Sequence, residues 1–107
     1  MVSGRIPAPS YRTVYEEGRS VANRYLVMYY RAGESSVKLG VSVSRRLGKA
    51  FLRNKVKRRI KEAFRHLMPS IRSGGEFVFV ARHRAAEAQY KDIFDAMKDL
   101  LKRMELL

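Results

Sequence analysis

The stretch RRLGKAFLRNKVKRRIKEAFR, residues 45–65, is the most strongly charged segment of this 107-residue chain. It contains ten cationic side chains and one acidic side chain, Glu62, and so holds nine of the net thirteen positive charges. Its apolar residues recur at helical spacing, which predicts a helix over residues 51–67. Charge concentrated in this way indicates a polyanionic partner, with nucleic acid ahead of an anionic membrane.

The two faces of this predicted helix differ in character. At about 100° per residue, one face is apolar and roughly 120° wide. It consists of Leu52, Val56, Ile60, Ala63, Phe64 and Leu67. The opposite side carries Asn54, Arg58, Lys61 and Arg65, flanked by Lys55 and Lys57, with Arg53 and Arg59 near the margins. We therefore expect the apolar face to pack on a sheet and the cations to project as a rigid array toward phosphates.

The residues just before the helix extend the charged surface. Arg45, Arg46 and Lys49 surround Gly48. This glycine either lets the backbone approach a phosphate closely or belongs to a flexible loop. Asn54 either hydrogen-bonds a ribose or base, or caps the helix.

The rest of the chain predicts further helices and strands. A short helix is expected over residues 11–17, ended by Gly18, and a longer amphipathic helix over residues 87–103. Strands are expected over residues 25–31, 37–44 and 76–82. The first two strands are adjacent and joined by a short loop, so a hairpin is expected. The order predicts an α+β fold, an αββαβα sandwich with a mixed sheet, as a single domain over residues 1–107.

Three tyrosines form a second candidate surface. Tyr11 and Tyr15 share one face of the short helix, and Tyr29 lies on the first predicted strand. Together they form either an aromatic wall beside Ser42 and Ser44, on which unpaired bases stack, or ordinary core packing.

Other function classes find little support in the sequence. The absence of cysteine excludes a disulfide framework and a thiolate metal site, and no apolar run reaches the length of a membrane span. A protein-only nuclease or metal hydrolase is poorly supported, because His66 and His83 lack ligand-spaced partners. Three aspartates recur along the last helix beside lysines, as on a solvated face: Asp92, Asp95 and Asp99. A DNA-binding helix-turn-helix is equally weak, since the basic helix is flanked by strands.

The segment KLGVSVSRRLGKAFLRNKVKRRIKEAFR, residues 38–65, resembles the hallmark segment of the bacterial ribonuclease P protein subunit family. GRSVANRYLVMYY, residues 18–30, resembles the family's turn and first strand, and the likeness covers nearly the whole chain. The motif residues are Arg53, Asn54, Lys57, Arg58, Glu62 and Phe64. The resemblance implies a fold like the second domain of a small-subunit ribosomal protein, with a left-handed βαβ crossover through the basic helix.

The resemblance also implies a division of labour. The RNA subunit hydrolyses the phosphodiester with bound Mg²⁺, and the protein supplies no catalytic side chain and no metal site. The protein supports the RNA core and holds the single-stranded 5′ leader of precursor tRNA. It is expected in the cytoplasm, with no obligate protein partner. A ribosomal or general RNA-binding structural protein is the alternative.

The resemblance and the charge pattern together give a predicted set of site residues. The RNA-binding set is Arg45, Arg46, Lys49, Arg53, Asn54, Lys55, Lys57, Arg58, Lys61 and Arg65. The leader-binding set is Tyr11, Tyr15 and Tyr29. Lys55 departs from the family, which commonly has arginine there, so a point charge replaces a bidentate fork. Tyr11 and Tyr15 stand where the family often has phenylalanine, which keeps the ring and adds a hydroxyl.

Overall fold

The computed structural model describes residues 8–33 and 36–107 of the chain. Residues 1–7, part of the predicted single domain, and residues 34 and 35, part of the predicted loop, lie outside the described part. The regular elements are α1 (Tyr11–Glu17), β1 (Arg19–Ala22), β2 (Leu26–Ala32), β3 (Val37–Ser42), α2 (Ala50–Leu67), β4 (Gly75–Ala81) and α3 (Tyr90–Arg103). Short 3₁₀ helices span Arg45–Leu47, Met68–Ser70 and His83–Glu87. The three predicted helices and three predicted strands are confirmed to within a few residues.

The strand β1 was not predicted. It is four residues long and three of its residues are exposed, so it carries no apolar alternation that a sequence pattern could reveal. Its pairing with β2 holds it in place, in an antiparallel register that sets Val21 opposite Met28. The order of elements is therefore αβββαβα rather than αββαβα.

The predicted hairpin between the strands observed as β2 and β3 is wrong. The strand order is β1-β2-β4-β3, so β4 lies between β2 and β3. It runs antiparallel to β2 and parallel to β3. The reason is burial: β4 is apolar on both faces, with Phe77 and Phe79 on one side and Val78 on the other, and all three are fully buried. A strand of this kind belongs in the centre of a sheet.

Glycines allow β4 to enter between its neighbours. Gly75 adopts a φ of 144°, which favours glycine, and an added Cβ would lie 2.5 Å from the carbonyl oxygen of Arg31. The Gly75 N–H donates to the carbonyl of Ser36 at 2.9 Å, and the Gly33 N–H donates to the carbonyl of Gly74 at 3.4 Å. The close backbone approach at the start of β4 thus ties the ends of β2 and β3 around it.

The connection from β3 through α2 to β4 is a parallel crossover, as the resemblance implied. The sheet is therefore mixed, and the α+β class is confirmed. The left hand of this crossover stays a prediction from the resemblance.

The two faces of the sheet are covered unequally. Helices α2 and α3 pack on one face, where Phe64 lies 5.3 Å from Phe77 and 5.9 Å from Phe79 between ring centroids. On the other face, α1 is the only helix among the described residues; it contacts β2 and β4, and its Val14 is fully buried. Since α1 has seven residues, it is about 10 Å long and covers only part of a sheet face. Within residues 8–33 and 36–107, the remainder of this face forms an open cleft.

Candidate nucleic-acid interface

Helix α2 is fixed to the sheet by the face that the sequence predicted. Five of the six predicted apolar residues are buried and Leu52 is half-buried. The buried ones are Val56, Ile60, Ala63, Phe64 and Leu67. The side chains on the other face therefore project from a helix that cannot rotate without exposing this core.

The predicted cations around α2 fall into two groups. Seven are exposed: Arg45, Arg46, Lys49, Lys55, Arg58, Lys61 and Arg65. Three are half-buried: Arg53, Lys57 and Arg59. The exposed group follows one side of the helix and the 3₁₀ turn before it, so the structure brings these residues together as the sequence predicted. Their contacts with RNA stay a prediction.

Two of the half-buried arginines hold neighbouring backbone. The Nε of Arg53 donates to the carbonyl of Gly48 at 3.1 Å, and Nη1 of Arg59 donates to the carbonyl of Ala88. These bonds tie the helix to the loop before it and to the segment after the last 3₁₀ turn. Part of the donor capacity of Arg53 is thus already used within the protein.

Arg65 is paired with the one carboxylate of the segment. Its Nε and Nη2 donate to the two oxygens of Glu62 at 3.1 and 2.6 Å, and His66 Nε2 lies 2.8 Å from the same carboxylate. Hydrogen bonds from Arg65 first and His66 second lower the pKa of Glu62 to about 2, and the pair raises the pKa of Arg65. Arg65 therefore presents a partly neutralised charge, which the sequence did not reveal.

The geometry of Gly48 and Asn54 bears on their alternative interpretations, while their contacts with RNA stay predictions. Gly48 has a φ of 145°, and an added Cβ would lie 2.9 Å from the side chain of Leu52. The glycine is thus required by the turn into α2. Asn54 does not cap the helix, because Lys49 occupies the N-cap position and α2 begins at Ala50. The Asn54 side chain is exposed on the cationic face.

The three predicted tyrosines form one contiguous cluster on the open side of the sheet. The ring centroids of Tyr15 and Tyr29 are 4.7 Å apart, and those of Tyr11 and Tyr15 are 6.4 Å apart. Tyr11 packs on Gly40, where an added Cβ would lie 2.6 Å from its hydroxyl. Tyr15 is 41% exposed, so ordinary core packing does not describe it. Burial raises the pKa of the Tyr15 hydroxyl, against the opposing effect of a hydrogen bond with Ser42.

The floor of the cleft continues beyond the tyrosines. Val27 of β2 is in register with Val80 of β4, which is in register with Ser42 of β3. All three are half-buried. This floor leads toward the end of the sheet where β3 and β4 both terminate, because they are parallel.

A cationic cluster that the sequence did not predict lies at that end. A shallow cavity of about 330 Å³ is lined by Arg24, Arg82, His83 and Arg84. The pairing of Leu26 with Ala81 brings the β1–β2 turn next to the residues after β4, 58 positions away along the chain. Finding this cluster required the strand order. The run RHR at residues 82–84 was the only signal in the sequence.

The carboxylates of α3 have structural partners. Asp92 accepts from the N–H of Gln89 at 2.9 Å in a capping box, Asp95 pairs with Lys91 at 2.7 Å, and the third, Asp99, pairs with Arg103 at 2.9 Å. Among residues 8–33 and 36–107, no group of three His, Cys, Asp or Glu side chains is placed to hold a metal ion.

No helix in the described part of the chain has the length and apolar character to cross a bilayer. The fold and these surfaces define the class: a small α+β protein with a rigid cationic helix on one side of a sheet and an aromatic cleft on the other, built to bind nucleic acid.

Comparison with known proteins narrows this class. The family model described as Ribonuclease P matches residues 7–105. The ribonuclease P protein component of Clostridioides difficile (strain 630) is 43% identical over 98 residues, which cover 90% of this chain and 86% of the relative. The chain belongs to the ribonuclease P protein family, and the resemblance seen in the sequence is confirmed. Its role is that of the protein component, which works with an RNA partner.

Solved structures agree with the fold. The RNase P protein of Staphylococcus aureus superposes with a TM-score of 0.82 at 34% identity, covering 90% of this chain and 89% of that chain. The RNase P protein from Thermotoga maritima gives a TM-score of 0.82 at 33% identity, covering 90% and 92%. The mixed four-stranded sheet with three helices is thus the architecture of this family.

Proposed function

We propose that this chain binds the catalytic RNA subunit of ribonuclease P through the cationic face of α2, and the 5′ leader of precursor tRNA in the tyrosine cleft. The observation that carries the proposal is the arrangement of charge on α2. Like charges three and four residues apart repel, and only Glu62 relieves them within this helix. A phosphate backbone offsets that repulsion through the release of its counterions.

The cleft suits a single strand rather than a duplex. Tyr15 and Tyr29 offer ring surface at one end of an open strip of sheet, and the arginine cluster lies at the other end. Bases stack on exposed aromatic rings by roughly 1–3 kcal/mol each with little sequence preference, while the arginines attract the backbone. A leader that differs in sequence from one tRNA to the next needs recognition of this kind.

The chemistry belongs to the RNA subunit in this proposal. Mg²⁺ bound mainly by that RNA supplies the hydrolytic chemistry, and the protein's residues position the substrate and screen phosphate repulsion. The holoenzyme acts in the cytoplasm, where precursor tRNA is made. The result is removal of the leader to give the mature 5′ end.

Reconstitution with a bacterial ribonuclease P RNA at low Mg²⁺ tests the proposal. We expect the protein to restore leader cleavage that the RNA alone performs poorly under these conditions. A general RNA-binding structural protein would bind the RNA without restoring cleavage. Cleavage by the protein without RNA would instead indicate a protein nuclease.

The leader assignment has its own test. Tyr15→Ala should weaken holoenzyme binding of precursor tRNA and leave the binding of mature tRNA unchanged, because only the precursor carries a leader. Tyr15→Phe is the matched control, since it keeps the ring and removes the hydroxyl. An equal loss for both substrates with Tyr15→Ala would exclude the cleft as the leader site.

A further inference from the structure

Phe51 is an apolar residue in the middle of the cationic face. It lies in the first turn of α2 and is 71% exposed. At about 100° per residue, it projects within roughly 20° of Arg58, which lies two turns further along. Asn54 and Lys55 follow it by three and four residues and are its nearest neighbours on that face.

The surroundings of Phe51 indicate what it contacts. Within residues 8–33 and 36–107 the other large apolar side chain that is exposed is Tyr15, at 41%, and it belongs to the cleft. Phe51 therefore has no large exposed apolar neighbour in the described part of the chain with which to form the contiguous patch that a protein partner needs. A flat ring among unpaired cations suits a nucleobase, which offers a π-face for stacking and a charged phosphate on each side.

We infer that Phe51 stacks on an unpaired base of the RNA that binds α2, while Lys55 and Arg58 contact the adjacent phosphates. Lys55 lies about 6 Å and Arg58 about 10 Å further along the helix axis, which is within reach of the neighbouring nucleotides. The inference rests on the proposed function, and it adds recognition of unpaired RNA to a helix whose other contacts are with phosphates.

Substitutions at Phe51 separate stacking from charge. Phe51→Ala should weaken binding to a bacterial ribonuclease P RNA by roughly 5- to 150-fold, the equivalent of one stacked base. The dependence of affinity on salt should stay unchanged, because no phosphate contact is lost. Phe51→Tyr should bind like the wild type, whereas Phe51→Leu, apolar but not aromatic, should behave like the alanine variant.

The outcomes distinguish this inference from the proposed function. If Arg58→Ala weakens binding and Phe51→Ala does not, the stacking contact is refuted and the cationic interface stands. Full binding by Phe51→Leu would also refute stacking, since an apolar contact alone would then suffice. If neither alanine variant loses affinity, the proposed RNA interface fails and the inference fails with it.

A direct observation is available because the chain contains no tryptophan. Phe51→Trp introduces a single indole, which can be excited apart from the tyrosines. Stacking on a base should quench its emission when the RNA is added. Lys98→Trp, at an exposed position of α3, is the matched control and should keep its emission. Equal emission changes for both variants would overturn the inference.

Discussion

Removal of one exposed guanidinium should change how RNA affinity depends on salt. Arg58 is exposed, and the ion pairs and side-chain hydrogen bonds of the described residues do not involve it. Arg58→Ala therefore removes a charge without breaking an ion pair or side-chain hydrogen bond of the described residues. Lys98→Ala on α3 is the matched control, since Lys98 is also exposed and has no such bond there.

The magnitude follows from the charges around α2. Of the seven exposed cations in this region, Arg65 is paired with Glu62, which leaves six. If each neutralises one phosphate, the wild-type slope of log affinity against log salt is about −5, from roughly 0.9 per phosphate in a duplex. Arg58→Ala should make the slope shallower by about 0.9, so its binding defect should shrink about 3.5-fold between roughly 50 and 200 mM salt.

The assay is equilibrium binding to a bacterial ribonuclease P RNA over a monovalent salt series at fixed Mg²⁺. Thermal unfolding of each variant, followed by circular dichroism, checks that the fold is intact. Parallel salt curves for the wild type and Arg58→Ala would refute the reasoning. So would a slope change of the same size in Lys98→Ala, because the effect would then reflect net charge rather than the α2 face.

Three further predictions concern the cleft, the core and pH. Gly40→Ala places a methyl group against the Tyr11 ring. We expect this change to weaken leader binding by about 1 kcal/mol or less, because only the free end of the Tyr11 side chain must move. In a chain that already carries Tyr11→Ala, Gly40→Ala should cause no further loss of leader binding. Phe64→Ala should destabilise the fold by about 3–5 kcal/mol in urea unfolding, since this ring is fully buried. A hydrogen bond from the Ser10 N–H lowers the pKa of Glu76 below its ordinary value of 4.5. The ionised carboxylate therefore stabilises the fold above pH 4.5, and this stabilisation is lost as the pH falls through the lowered pKa. Melting temperatures of Glu76→Gln should therefore vary less than those of the wild type between about pH 5 and pH 3.

The elements that the sequence predicted well are those with a long amphipathic period. Helices α2 and α3 have 18 and 14 residues, enough for the apolar stripe to be unmistakable. The strand β1 has four residues and depends on its partner, so only the fold reveals it. The sequence did contain a signal against the predicted hairpin. FVFV at residues 77–80 is a continuous apolar run, which is typical of a central strand rather than an edge strand.

The candidate nucleic-acid interface shows the same pattern: features set by helical periodicity could be predicted, and features set by contacts between distant residues could not. The outward direction of the α2 cations follows from the helix wheel and was predicted. The pairing of Arg65 with Glu62 depends on rotamers, and the bond from Arg59 to the carbonyl of Ala88 depends on how a distant loop folds back. The three-residue spacing of Glu62 and Arg65 allows their pair but does not decide the rotamers that form it, and local spacing does not encode the Arg59 bond. The arginines beside the cleft could be grouped only once the order of the strands was known.

The insertion of β4 between β2 and β3 links the two proposed RNA surfaces. It places β3 at the edge of the sheet, where Gly40 and Ser42 border the cleft and the chain then passes directly into the 3₁₀ turn Arg45–Leu47 and α2. Only residues 43–49 separate the cleft from the cationic helix, and Gly48 fixes the turn between them. A hairpin of β2 and β3 would have left β4 at the edge and exposed its phenylalanines. The burial that places β4 in the centre therefore also sets a fixed distance between the surface proposed for the folded RNA and the surface proposed for the leader.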